Sequence, residues 1–119
     1  MTWNIQGDRP IWQQLREELT RRIVTGAYPM GTRLPSVRDL AAEAGVNPNT
    51  MQRALSELER DALVSTNRTS GRFVTEDESL LAQIRRSLAK EHIALYLHGM
   101  ETIGFTRAEA TAILMEESQ

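Results

Sequence analysis

The stretch LPSVRDLAAEAGVNPNTMQRALSELE, residues 34–59, holds two short helical patterns broken at Gly45 and restarted at Asn47. Ser36 is placed to cap the first, with Asp39 three residues on as an aspartate version of the capping box. Val37, Leu40, Ala41 and Ala44 share an inward face, and Gly45 supplies a left-handed stop. Asn47 caps the second pattern and Pro48 occupies its first turn. Met51, Ala54, Leu55 and Leu58 recur at i, i+3, i+4 and i+7, which makes one buried stripe. A tight turn between two such helices constrains what can surround it.

The flanks complete the arrangement. Pro10 suits a first helical position, and Ile11, Leu15, Leu19 and Ile23 follow every four residues, with Trp12 widening the stripe and Gly26 ending it. AYPMGTRLP is a loop with a few extended residues around Arg33. Leu63-Val64 and Phe73-Val74 bracket the polar turn Asn67 to Gly71 as a hairpin. The predicted fold class is mainly α: a winged helix-turn-helix, three helices plus a two-stranded wing, over residues 1–75.

Charge placement says what such a domain meets. The net charge is −2, but residues 1–75 carry ten Arg against eight acids, whereas residues 76–119 carry four bases against eight acids. No acid lies between Ala44 and Ser56, nor between Ala62 and Thr75, where Arg68 and Arg72 sit. Projected at 100° per residue, the third helix turns Asn49, Arg53, Ser56 and Arg60 away from its buried stripe. An acid near a helix start favours the helix dipole but repels phosphate, so its omission fits a surface that meets an anion. The alternative is a winged-helix protein-interaction module, and the structural reading of single residues is that Arg38 pairs with Asp39 or Glu43 and Arg53 with Glu57.

From PIWQQL through GRFV the chain resembles the DNA-binding domain of the GntR family of bacterial transcription regulators, on LPSVRDLA and NPNTMQRAL. Asn47-Pro48-Asn49 resembles the YtrA-type subfamily, whose length and layout the tail also follows. The resemblance implies a dimeric repressor on an inverted-repeat DNA operator, controlling a transporter operon. It implies that Ser36 and Arg38 contact phosphate or a base edge, that Thr50 and Arg53 form the recognition-helix pair, and that Gly71 is the wing glycine. Pro48 replaces an arginine common in relatives, and Thr69 replaces the first glycine of the wing's Gly-x-Gly. The DNA-binding set is therefore Ser36, Arg38, Asn47, Asn49, Thr50, Arg53, Arg68, Gly71 and Arg72.

Residues 76–119 read as a short two-helix dimerisation arm. A long helical pattern runs from Leu80 to Leu97 and ends at Gly99, and a last helix starts behind a Thr106–Glu109 capping box with a staple between Phe105 and Ala110. Leu81, Ile84, Leu88 and Leu95 make one apolar stripe, and Ile93, Tyr96, Leu97 and Met100 a second. The last helix, through Ala108, Ala112, Ile113 and Met115, covers one side, and a second chain is expected on the other. The seam is predicted at Leu81, Ile84, Leu88, Leu95 and Tyr96. With no cysteine, and with His92 and His98 on different helix faces, no metal or other cofactor is expected. No nucleophile–base pair or phosphate loop points to an enzyme. The apolar runs are too short to span a membrane, no signal peptide is recognised, and the cytoplasm is the expected location. No residue names an effector.

Overall fold

The computed structural model describes residues 2–118. In chain order it places α1 at Ile11–Val24, α2 at Val37–Ala44, α3 at Pro48–Arg60, β1 at Val64–Asn67, β2 at Gly71–Val74, α4 at Glu78–Thr102 and α5 at Arg107–Glu117. The chain is mainly helical with one antiparallel hairpin: the predicted winged helix-turn-helix with two further helices. Among the described residues no helix is long and apolar enough to cross a membrane.

Local signals explain the element ends. Ser36 Oγ accepts from the Asp39 amide at 3.1 Å. Among the described residues only this serine half of the box forms, since aspartate is one methylene shorter than the glutamate that normally reaches back. Gly45 takes φ 71°, and the Val46 amide returns to the Ala41 carbonyl at 3.0 Å, closing a Schellman turn. Asn47 Oδ1 then accepts from the Asn49 amide at 2.8 Å with Pro48 in the first turn. Pro10 is the cap of α1 rather than its first helical residue, because its ψ of 134° is extended. The stripe of α1 correspondingly starts one turn late: Ile11 is 44% exposed, while Leu15, Leu19 and Ile23 are buried.

Those three side chains meet Leu40 of α2 and Met51, Leu55 and Leu58 of α3 in a core closed by Leu34, Leu63, Val64 and Val74. Fully burying one such side chain stabilises the fold by about 1.5–3 kcal/mol. The buried Gln14 is fully engaged: its side-chain amide donates to the carbonyls of Gln6 and Arg9 and accepts from the Gln6 amide, tying the N-terminal segment to α1. Arg22, 3% exposed, binds Glu18, Glu43 and Tyr28 beneath the Trp3 ring. Within the wing Val64 faces Val74 and Asn67 faces Gly71. Arg33 bridges to Phe73, so the loop before α2 adds a short third extended segment, as its sequence suggested.

The chain divides into compact units at Ala82/Gln83, inside α4. Leu81, 8% exposed, belongs to the first unit's interior, which removes it from the seam predicted for the tail. In the second unit α4 passes through Gly99 to Thr102. An interior helical glycine costs only ~1 kcal/mol, and the left-handed residue is Gly104, with the Phe105 amide bonded to the Met100 carbonyl at 3.1 Å. Both halves of the Thr106–Glu109 capping box form. The packed face of α5 differs from the predicted one. Ala110 is fully buried and Ile113 half-buried, while Ala108, Ala112 and Met115 are exposed. The Tyr96 hydroxyl donates to the Ala110 carbonyl at 2.7 Å, which selects that face.

Candidate nucleic-acid interface

The outward side of α3 carries Asn49, Gln52, Arg53, Ser56 and Arg60, all exposed, with Thr50 half-buried in the first turn. That turn holds no acid, so the amide end of the helix keeps its partial positive charge for an anion. Asn47 is committed as the cap. Arg53 forms no hydrogen bond or ion pair among the described residues. Its guanidinium lies 4.1 Å from the centroid of the Trp12 ring. Glu57, the pairing partner considered for it, faces Arg60 instead, at 3.6 Å.

At the start of α2, Arg38 is exposed and unpaired among the described residues. Neither Asp39 nor Glu43 takes it, and Glu43 accepts from Arg22 and from the Trp3 indole. Ser36 lies beside it at the cap, its oxygen engaged by the Asp39 amide.

The wing sorts its arginines. Arg68 stands exposed on the turn, with no ion pair among the described residues. Thr69 closes that turn without the expected glycine: Asn67 Oδ1 accepts from its amide at 3.0 Å and from its hydroxyl at 2.9 Å. Gly71 has φ 99°, and a Cβ there would sit 2.9 Å from Arg33 Nε, so the glycine also admits the Arg33 side chain against the strand. Arg33 is exposed and is a candidate that sequence reasoning left out; an arginine in a loop carries no periodic signal. Arg72 is engaged within the fold. It meets Glu59 of α3 at 3.0 Å with its side chain 19% exposed. The absence of acids from 62–75 concealed this, because the acid arrives from another element.

Glu59 thus ties the wing to the recognition helix. The Thr66 hydroxyl donates to it, and this bond, aided by Arg72 against the opposing effect of burial, lowers its pKa below the ordinary carboxylate value. A lowered carboxylate pKa stabilises the fold above the unfolded value and loses that contribution as pH falls through the folded one. The wing's attachment is therefore expected to be complete at neutral pH and to loosen below about pH 4. An NMR titration of the Thr66 and Arg72 signals checks this: they should move together with the Glu59 carboxyl, and Glu59→Gln should abolish the transition.

Residues 12–74 match the family described as bacterial regulatory proteins, gntR family. The chain belongs to the GntR family. It is 35% identical over 104 residues to the uncharacterised helix-turn-helix regulator YhcF of Bacillus subtilis, covering 87% of this chain and 86% of that one. It is 33% identical over 85 residues to the repressor YtrA of the same organism, covering 71% and 65%. A GntR family regulator from Listeria monocytogenes superposes with TM-score 0.86 at 33% identity, over 94% of this chain and 98% of that one. The resemblance drawn from LPSVRDLA and NPNTMQRAL is confirmed. As a GntR protein the chain is a DNA-binding transcription regulator and not an enzyme.

Proposed function

We propose that the protein is a homodimeric, cytoplasmic repressor that binds an inverted-repeat operator, with α3 in the major groove and the wing beside it. The observation that carries this is the sorting of its arginines. Of the ten arginines in residues 1–75, Arg9, Arg21, Arg22, Arg60 and Arg72 have acid partners; Arg16, Arg33, Arg38, Arg53 and Arg68 have none among the described residues, and three of these, Arg38, Arg53 and Arg68, stand on α2, α3 and the wing. These are the elements that the fold offers to DNA. The YtrA relative supports repression, and the family resemblance suggests a transporter operon as target.

The dimer rests on the second unit. Ile93, Leu95, Ile103, Leu114 and Met115 are each at least half exposed, and Ala110 is its one buried side chain among the described residues. A unit below about 40 residues rarely stands without an added device such as oligomerisation. Ile84, Leu88 and Tyr96 are half-buried and Leu95 is 69% exposed, which leaves these four of the five predicted seam residues for a second chain.

Selecting bound duplexes from a random pool tests the operator, and two substitutions test the residues. Arg53→Ala should cost about 1–3 kcal/mol on the selected duplex and relax preference at one base pair per half-site. Arg38→Ala, a phosphate contact, should weaken all sequences alike. An Arg53 variant that binds like wild type removes that residue from the interface.

A further inference from the structure

We infer that Trp12 is a positioning residue for sequence readout: the indole on α1 holds the Arg53 guanidinium of α3 in the orientation from which it reaches the DNA. This rests on the DNA-binding reading and adds to it a residue outside the helix-turn-helix.

Among the described residues two arginines lie close over tryptophan rings, and their surroundings are opposite. Arg22 lies 4.2 Å from the Trp3 centroid, but it is 3% exposed, and its Nε and Nη1 donate to Glu18, Glu43 and Tyr28. That stack is part of the folded interior. Arg53 lies 4.1 Å from the Trp12 centroid, is exposed, and donates to nothing among the described residues. The acids of α1 and α3 are all claimed by other arginines: Glu17 by Arg9, Glu18 by Arg21 and Arg22, Glu57 by Arg60, and Glu59 by Arg72. Arg53 is therefore fixed by an aromatic face alone.

That kind of fixing suits readout. An indole face holds a guanidinium through its ring quadrupole and leaves the in-plane N–H groups unspent. A carboxylate would order the side chain equally well but would consume those donors and set a negative charge facing phosphate. A free arginine, conversely, loses rotamer entropy on binding, and a pre-set one loses less. Trp12 also has Arg16 at 5.8 Å, a second cation with no acid partner among the described residues, which keeps the local field positive.

The test is a double-mutant cycle on the selected duplex in the full chain, with Trp12→Leu, Arg53→Ala and the double variant, and Trp12→Phe as the conservative control. Thermal melting of each variant reports whether the fold is intact. Trp12→Leu should weaken binding about tenfold and relax the same base-pair preference as Arg53→Ala. Trp12→Phe should retain most of the affinity. In the Arg53→Ala background, Trp12→Leu should change affinity less than twofold. An equal loss from Trp12→Leu in both backgrounds, or a loss with base preference intact, overturns the role of Trp12 while leaving DNA binding standing. If Arg53→Ala itself binds like wild type, the assignment of Arg53 fails and this inference with it.

Discussion

Raising salt from 50 to 200 mM should weaken operator binding on the order of 10⁴-fold. A dimer that neutralises about eight phosphates has a log–log slope of roughly −7, and a fourfold rise in salt raised to that power gives the factor. The whole-chain charge of −2 would suggest no such dependence. The distribution does, because counterion release counts cations at the contact and not the sum over the molecule. Arg38 and Arg68 from each of two subunits would supply four of the eight contacts. Helix amides at the start of α3 and the Arg33 side chain are available for the rest. A titration by fluorescence anisotropy over that range is sufficient. A slope near zero would remove phosphate from the interface and return the winged-helix protein-interaction module to first place.

Removing residues 83–119 should abolish dimerisation and cost on the order of 10²-fold or more in apparent affinity for the full operator. Two tethered recognition helices about 34 Å apart meet successive major grooves, and the second binds at the high effective concentration set by the first. The cut belongs after Ala82 because Leu81 is part of the first unit's core, so a shorter piece would open that core. The remaining domain should melt cooperatively, sediment as a monomer and bind a half-site as the intact chain does. Leu95→Asp is the milder form of the experiment. Leu95 is 69% exposed within its own chain, so a charge there disturbs little of the monomer and is costly only under a partner. A truncated protein that still sediments as a dimer and holds the full site unchanged places the dimer contact elsewhere.

Two parts of the domain show where residue order is sufficient. The break at Gly45 and the restart at Asn47 were legible because a cap, a left-handed glycine and a 3.6-residue repeat act within one turn of chain. The Thr106–Glu109 box was legible for the same reason. The hairpin was legible from its polar turn, although only the structure showed Asn67 and Thr69 closing it in place of a glycine. The tail is less legible in its residue order. The residues of α4 are apolar on more than one side, so periodicity alone could not say which face α5 covers, nor that Leu81 turns to the first unit. Gly99 looked like a stop because a glycine ends many helices; the stop is Gly104, where the chain needs a positive φ.

Residue order by itself determined where α2 starts and stops, where α3 starts, the buried stripes of both, and the absence of acids from the stretches offered to DNA, since each depends on neighbours a few positions away. Only the tertiary structure decided which arginines are spent and which are free. Arg72 finds Glu59 thirteen positions back, Arg22 finds Glu43 twenty-one positions on, and Arg53 finds no acid but the face of Trp12. Side-chain electrostatics act over a few ångströms in space, and it is the packing of α1 and the wing on α3 that sets which charges fall within that range.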